Sequence, residues 1–179
     1  MSKKNPLVLL AKEAVENFIK ENKVISPPKN FPNEFLNKKA GTFVTIEKQG
    51  ELRGCVGTYL PTKENIAQEV IQNAIAAATQ DYRFSPLKKE ELPCLSYTVY
   101  ILGKPISVRE LKELDPRKYG IIVKSEPMNY FYPKIGLLLP GLEGVNTVED
   151  QISIACQKAG INPLKEKFKV YKFKAKKYR

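Results

Sequence analysis

A cysteine flanked by glycines is the feature of this sequence best suited to chemistry. Cys55 directly follows Gly54 and lies two residues before Gly57, and Arg53 precedes it by two residues. The glycines remove side-chain bulk beside the sulfur and let backbone N–H groups approach a ligand. The thiolate is the reactive form of cysteine, and a neighbouring cation favours it. We therefore predict Cys55 as a catalytic nucleophile and Arg53 as the cation that supports it.

The residues alone leave two interpretations of Cys55 open. Free cysteines are usually buried and pack as small hydrophobes, so Cys55 could belong to the core. If the even-numbered residues of its strand face the core, however, alternation puts Arg53, Cys55 and Gly57 together on the other face. In that case the guanidinium lies beside the thiol. The other two cysteines, Cys94 and Cys156, have apolar neighbours and are predicted to be core residues.

The absence of histidine excludes several kinds of site. The chain has 179 residues and no histidine, so it has no Cys-His or Ser-His dyad and no imidazole metal ligand. Three widely spaced cysteines without histidine disfavour a four-ligand zinc site. The sequence has no Gly-rich phosphate loop or nucleotide fingerprint. We predict no metal and no cofactor, and a general base would be Glu51, Asp81 or the substrate.

Cysteine usage and hydropathy indicate the compartment. An odd and sparse set of cysteines fits a reducing environment. The apolar residues 7–10 are soon interrupted by Lys12 and Glu13, so we predict no signal peptide. No stretch approaches the ~20 apolar residues that a membrane span needs. The expected location is the cytoplasm, with no membrane contact.

The strongest charge bias lies in the C-terminal tail. The net charge is +11, and from residue 165 onward the tail carries eight cations against one acid, Glu166, with aromatic residues between them. The cations are Lys165, Lys167, Lys169, Lys172, Lys174, Lys176, Lys177 and Arg179. Such a strand could contact phosphates and stack on bases. It could equally be an edge strand whose solvated lysines prevent edge pairing, and we favour this second interpretation.

The elements that position Cys55 are predicted in the first half of the chain. A helix begins at Asn5-Pro6, and a Pro-rich connector follows at 26–32. Strands at 41–47 and 52–59 form a hairpin, so Cys55 lies in its second strand. A helix with Thr62 as N-cap then runs to about residue 80, before a strand at 95–102.

The second half repeats this order. Strands are predicted at 119–124 and 135–139, a helix runs from the Thr147 cap to Gly160, and a final strand occupies 167–175. A short helix is predicted at 109–114. The repeated strand–strand–helix–strand order indicates one pseudo-duplicated α+β domain. Its parts are an N-terminal helix and connector at 1–39, a first half at 40–104 and a second half at 117–179.

Several blocks of the sequence resemble the AMMECR family. The most specific is GELRGCVGT at 50–58, preceded by GTFVT at 41–45. The block DYRFSPL at 81–87 resembles that family's Asp-x-Arg-Phe-x-Pro-Leu block, and GLLLP at 136–140 and residues 155–160 resemble its later blocks. The likeness extends over nearly the whole chain. Residues 125–134 depart from it, because they replace a compact Gly/Arg-rich turn that many members have.

The resemblance implies a fold and a site without implying a particular reaction. The implied fold is α+β, with a single curved, barrel-like, mostly antiparallel sheet and flanking helices. The implied site is the Leu-Arg-Gly-Cys block, which corresponds here to Leu52, Arg53, Gly54, Cys55 and Gly57. The resemblance also implies that Asp81 and Arg83 pack over this site. Bacterial and archaeal members are grouped with Memo-like and radical-SAM proteins, which are therefore the expected partners in a modification pathway.

Three functions follow as hypotheses. The first is an enzyme or enzyme component in which Cys55 acts as a thiolate, with Leu52, Gly54, Gly57, Asp81 and Arg83 binding the substrate. The second is a non-catalytic protein-interaction module in which the cysteine block is a rigid platform. The third is a nucleic-acid-binding protein that uses the basic C-terminal strand.

Overall fold

The computed structural model describes residues 5–126 and 132–179. Its helices are α1 (Pro6–Glu21), α2 (Asn33–Leu36), α3 (Ile66–Thr79) and α4 (Val148–Ala159), with 3₁₀ helices at Lys89–Cys94 and Leu111–Glu113. Its strands are β1 (Thr42–Lys48), β2 (Glu51–Gly57), β3 (Leu95–Leu102), β4 (Ile106–Ser107), β5 (Gly120–Ser125), β6 (Ile135–Leu138), β7 (Phe168–Phe173) and β8 (Ala175–Tyr178). The chain divides into two compact units, one comprising the residues up to Leu102 together with Lys176–Arg179, and the other Gly103–Ala175.

The strands form two four-stranded sheets, so the expectation of a single sheet is wrong. The first sheet has the order β2-β1-β3-β8 and the second has the order β4-β7-β5-β6. Strand β3 has β1 on one side and β8 on the other, and each strand has only two edges for backbone hydrogen bonds. Both edges of β3 are therefore occupied, and β5 of the second sheet cannot pair with it to form a single sheet. Within the described residues neither sheet closes on itself, so the barrel-like form is not confirmed.

The core of the first unit lies between helices α1 and α3 and one face of the first sheet. Val44, Ile46 and Val99 are completely buried on that face. Helix α1 begins as predicted, because the Asn5 side chain accepts a hydrogen bond from the Leu7 N–H at 3.0 Å. The apolar faces of α1 and α3 cover this face of the sheet, so the opposite face remains for a site.

Helix α3 begins later than predicted. Its N-cap is Asn65, whose side chain accepts a hydrogen bond from the Gln68 N–H at 2.9 Å. The predicted cap, Thr62, instead donates its hydroxyl to Glu69, a buried residue of the same helix, at 2.9 Å. Residues 58–65 therefore form a loop that the side chain of Glu69 holds to the helix.

The second unit has the predicted order of elements, but its final predicted strand ends earlier than expected. Helix α4 is capped by Thr147, which accepts a hydrogen bond from the Asp150 N–H, and ends at Gly160 with φ 66°. The predicted helix at 109–114 is reduced to one 3₁₀ turn. The predicted strand at 167–175 ends at Phe173, and after Lys174 the chain begins β8 in the other sheet. The divergent segment 125–134 lies partly outside the described residues.

Candidate functional site

Cys55 lies on the face of the first sheet that points away from helices α1 and α3. It pairs with Thr45 of β1, and its Sγ is 3.3 Å from the Thr45 hydroxyl oxygen. The neighbouring Gly54 is buried on the helix face, so alternation turns Cys55 to the opposite side. Cys55 is half-buried. Cys55 is therefore not a fully buried core residue.

Arg53 binds a carboxylate, and it lies at a bulge of strand β2. Gly54 pairs with Ile46, but the next pair joins Leu52 to Glu47, so Arg53 is an extra residue in the ladder. Its Nε and Nη2 donate to the two carboxylate oxygens of Glu91, both at 3.0 Å. This bidentate ion pair connects β2 to the 3₁₀ turn at Lys89–Cys94.

Asp81 connects the backbone of Cys55 to Arg83. The Cys55 N–H donates to Asp81 Oδ2 at 2.8 Å. The Nε of Arg83 donates to Oδ1 at 2.9 Å, and its Nη2 donates to Oδ2 at 2.7 Å. The hydrogen bond from the Arg83 side chain outweighs the effect of burial, and with help from the Cys55 N–H it lowers the pKa of Asp81 to about 2. Asp81 is thus an anion at any physiological pH.

Arg83 is joined to the backbone of Cys55 through the Asp81 carboxylate. Its hydrogen bond to Asp81 raises the pKa of the guanidinium, and the charge of the Cys55 thiolate adds to this rise. The ring of Phe84 lies 5.4 Å from the guanidinium of Arg83 and 5.9 Å from that of Arg53. Both guanidinium groups therefore lie near the turn at 81–85.

Glu91 is a part of this site that the sequence analysis did not predict. Besides Arg53, it accepts hydrogen bonds from the Lys48 side chain and from the Lys88 N–H, each at 3.0 Å. The Arg53 hydrogen bond is the largest effect, and it lowers the pKa of Glu91 to about 2 despite burial. Glu91 follows the family-like block at 81–87, and nothing in that block indicated its partner.

The glycines beside Cys55 have packing roles. A Cβ atom on Gly54 would overlap the carbonyl oxygen of Ala77 in α3. A Cβ atom on Gly57 would overlap the ring of Phe43. The two glycines thus allow a helix and an aromatic ring to approach β2 closely. Leu52, the other predicted substrate-binding residue of β2, has a side chain that is 42% exposed.

Glu69 holds the loop that follows β2, and this role was not predicted from the sequence. It is 1% exposed and accepts hydrogen bonds from the Thr58 and Thr62 hydroxyls and from the Thr62 and Lys63 N–H groups. Burial raises its pKa, but these hydrogen bonds together lower it more, so the net pKa is below the usual value. The sequence signal for this role was an acidic residue among the regularly spaced apolar residues of a predicted helix.

Comparison with known proteins places the chain in a family. A model of the AMMECR1 family matches residues 8–178. The chain belongs to the AMMECR1 family. The resemblance inferred from the sequence blocks is therefore confirmed, and the match includes Cys55, Asp81 and Arg83.

Similar proteins of the AMMECR1 family come from bacteria and archaea. A protein from Thermotoga maritima is 47% identical over 176 residues, which are 98% of each chain. The crystal structure of an uncharacterised protein from Pyrococcus horikoshii, PH0010, has a TM-score of 0.86 and 34% identity, covering 96% of this chain and 88% of that one. A protein from Clostridium acetobutylicum is 44% identical over 160 residues, but the match covers only 33% of its length.

The other two cysteines of this AMMECR1-family chain have contrasting surroundings. Cys94 is exposed at the end of a 3₁₀ turn, so its predicted place in the core is wrong. Cys156 is buried in α4 as predicted, and burial raises its pKa, with a smaller contribution from the charge of Glu166. The chain therefore provides one exposed and one buried reference thiol for Cys55.

Two other kinds of site are absent from the part of the chain that the structure describes. Residues 5–126 and 132–179 contain no cluster of three or more Cys, Asp or Glu side chains that could hold a metal ion. No helix within these same ranges has the length and apolar character needed to cross a membrane.

The basic tail is engaged in both sheets. Lys169 forms an ion pair with Glu126 at 3.3 Å, and Lys172 forms one with Glu113 at 2.8 Å. Strand β7 lies inside its sheet, between β4 and β5, whereas β8 is an edge strand. The predicted edge strand of lysines therefore corresponds to β8 alone.

Proposed function

We propose that this protein is an enzyme, or a component of one, in which Cys55 acts as a thiolate nucleophile. The observation that carries the proposal is the connection from the Cys55 N–H through the Asp81 carboxylate to the Arg83 guanidinium. It fixes the backbone of a half-exposed cysteine and holds a cation close enough to interact with its sulfur. A fixed cation beside an accessible thiol favours the thiolate.

The roles of the neighbouring residues follow from their contacts. Asp81 is a positioning residue rather than the general base, because a carboxyl group with a pKa of about 2 is a poor proton acceptor. The thiol proton is instead lost to solvent before reaction. Arg53 holds the 3₁₀ turn through Glu91. Gly54 and Gly57 shape the strand, and Leu52 offers an apolar contact to a substrate.

The test is the rate of alkylation by iodoacetamide against pH, measured for each cysteine by mass spectrometry of peptides. We expect Cys55 to react with an apparent pKa below the ~8.5 of an ordinary thiol. Exposed Cys94 serves as the internal reference, and buried Cys156 should be protected. Nucleophilic catalysis is ruled out if Cys55 and Cys94 have the same pH profile.

An arginine variant assigns the effect to its source. Arg83→Gln should raise the apparent pKa of Cys55 by about one unit, since one charge close to a partly buried group has an effect of this size. Arg109→Gln, an exposed arginine of the second unit, is the matched control and should leave the profile unchanged. Equal profiles for both variants would assign the reactivity of Cys55 to some other group.

A second candidate function is protein docking beside the same site. Tyr82, between Asp81 and Arg83, is 96% exposed, and Leu52 is 42% exposed. Aromatic residues in such positions often anchor interfaces. The longer relative from Clostridium acetobutylicum carries an AMMECR1-like segment within a larger chain, which supports action together with another protein. Memo-like and radical-SAM proteins are the partners that the family resemblance suggests, and the sparse, odd set of cysteines favours a cytoplasmic setting.

Matched tyrosine variants test docking. Titration calorimetry against a purified Memo-like protein should give at least tenfold weaker binding for Tyr82→Ala, as expected for an anchor residue. Tyr132→Ala removes a tyrosine that is 84% exposed elsewhere and should bind normally. Cys55→Ser separates the two functions, because catalysis would be lost whereas docking would survive so small a change.

A further inference from the structure

Thr45 of β1 lies directly opposite Cys55 of β2, and its side chain contacts the sulfur. The two residues pair in the register of the hairpin, and the Thr45 hydroxyl oxygen is 3.3 Å from the Cys55 Sγ. Directly opposite residues of neighbouring strands project to the same face of a sheet. Both residues are half-buried. The thiol that the proposed function uses therefore has a hydroxyl group as its immediate neighbour, on the face opposite α1 and α3.

The kind of strand pair brings these two side chains close together. The Cys55 N–H donates to Asp81 at 2.8 Å, so it points to the outer edge of β2 and not to Thr45. Cys55 and Thr45 are therefore a non-hydrogen-bonded pair, the kind in which opposite side chains lie closest. Asp81 holds the backbone of Cys55 at one edge of the strand, and Thr45 contacts its sulfur from the neighbouring strand.

The core fixes the position of Thr45. Its neighbours in β1, Val44 and Ile46, are completely buried on the helix face of the sheet. The bulge of β2 lies beyond Ile46, so the pairing of Thr45 with Cys55 is regular. Threonine also has few χ1 rotamers, because it is branched at Cβ. The hydroxyl is thus held beside the sulfur by both backbone and side chain.

The chemistry of the two groups gives this contact a direction. While the sulfur carries its proton, either atom can donate, and a thiol is only a weak donor and acceptor. A thiolate can only accept, so the Thr45 hydroxyl then donates to it. Hydrogen bonds to a charged acceptor are roughly twice as strong as those between neutral groups. The contact therefore stabilises the thiolate more than the thiol.

We propose that the Thr45 hydroxyl donates a hydrogen bond to the Cys55 thiolate, and that Thr45 thereby orients and stabilises the nucleophile. The proposal rests on the proposed function of Cys55, and it adds a residue to that site. Asp81 acts on the backbone of Cys55, whereas Thr45 acts on the reacting atom itself. The proton that leaves the thiol goes to solvent, because Thr45 is a donor in this state and does not take it up.

Exchange with a neutral disulfide tests this on the full chain. The probe is 2-hydroxyethyl disulfide, and mass spectrometry of peptides gives its rate at each cysteine against pH. Thr45→Val has nearly the same shape but no hydroxyl, so the apparent pKa of Cys55 should rise by about one unit, the effect of one hydrogen bond to a charged group. A thiolate of higher pKa is also more nucleophilic, with a Brønsted coefficient of ~0.4–0.5. The variant should therefore react about threefold faster on the thiolate plateau and about threefold slower at a pH below both pKa values.

Three further variants separate the hydrogen bond from packing. Thr45→Ser restores the hydroxyl and should restore the wild-type pKa of Cys55. Thr98→Val is the matched control, because it removes a hydroxyl from the residue that pairs with Thr45 one strand further from the sulfur. It should leave the Cys55 profile unchanged. Thr45→Ile also lacks the hydroxyl and suits a strand, so it gives a second measure of the same pKa if Thr45→Val does not fold.

The proposal is overturned if Cys55 titrates alike in the wild type and in Thr45→Val, or if Thr45→Ser raises the pKa as much as Thr45→Val. An equal rise in Thr98→Val would also overturn it, since the effect would then come from the polarity of the whole face. Failure of the proposed function is a different result, namely equal pH profiles for Cys55 and Cys94 in the wild type. If the Cys55 pKa still rose in Thr45→Val, that result would reject the catalysis and keep the hydrogen bond.

Discussion

The carboxylates of Asp81 and Glu91 bind the segment after α3 to strand β2. Their protonation should therefore lower the free energy of unfolding in acid. Asp81 and Glu91 have pKa values of about 2, against ordinary values of 3.8 and 4.5. Because both are lowered in the folded state, their stabilisation is complete above pH ~5 and is lost as pH falls from about 4 through 2. For Asp81 the change corresponds to about 2 kcal/mol.

Urea unfolding at pH 7, 4.5 and 3 measures this dependence for wild-type protein and Asp81→Asn. The variant should be less stable by about 2 kcal/mol at pH 7 and should lose less stability on acidification, since it lacks one of the titrating groups. Parallel pH dependences would show that the Asp81 carboxylate contributes nothing through its charge.

A buried hydroxyl gives a prediction of opposite sign. Tyr97 is 6% exposed, and its hydroxyl oxygen has no hydrogen-bond partner among the described residues. Burying a polar group without a partner costs about 1–3 kcal/mol. Tyr97→Phe should therefore leave the free energy of unfolding unchanged or raise it by about 1 kcal/mol in urea titrations. A loss greater than 1 kcal/mol would mean that the hydroxyl has a partner such as water.

At the scale of residues, the sequence was sufficient to select Cys55, Asp81 and Arg83, because their residue types carry recognisable chemistry. It was not sufficient to assign the partner of Arg53. That partner depends on a bulge in β2, and a shift of one position turns a side chain from one neighbour to another. Glu91 lies 38 residues from Arg53 in the chain, and nothing local to either residue indicates the other.

At the scale of elements, each sheet has a glycine that allows a helix to pack closely on its hairpin. Gly54 of β2 lies against Ala77 of α3, and Gly136 of β6 lies against the carbonyl oxygen of Ala155 in α4. A methyl group at either position would overlap backbone, which cannot move aside as a side chain can. The same contact thus recurs in the two units, at the corresponding strand and helix of each.

Alanine variants should be costly at both positions. Gly54→Ala and Gly136→Ala should each lower the free energy of unfolding by about 3 kcal/mol, the upper end of typical overpacking costs. Gly103→Ala is the control, because its nearest neighbour, the Lys174 carbonyl oxygen, would be 3.3 Å away, and it should cost less than about 1 kcal/mol. Similar losses at all three positions would contradict the packing role.

Individual elements were largely predictable because their signals are local. The Asn5 and Thr147 caps, the Gly160 end and the alternation of 95–102 all act within a few residues. The number of sheets was not predictable in this way. It depends on β8 taking the free edge of β3, and strand pairing over such a sequence distance leaves no periodic signal.

At the scale of the whole molecule, one short strand completes the sheet of a unit whose other strands end at Leu102. Strand β8 lies beside β3, and the ring of Tyr178 meets that of Phe35 edge to face at 6.1 Å. Deleting residues 175–179 should therefore reduce amide hydrogen-exchange protection in β3 while leaving β5 protected. Equal loss in both strands, or none in β3, would contradict this assignment.

The discontinuous course of the first unit also sets an order of events during synthesis. The ribosome completes β1, β2 and β3 before it makes residues 103–175, and β8 follows them. At about 5–20 residues per second, this interval lasts roughly 4 to 15 s. During that time β3 has an unpaired edge in a nascent chain, so this is the stage at which a chaperone that shields strand edges would be of most use.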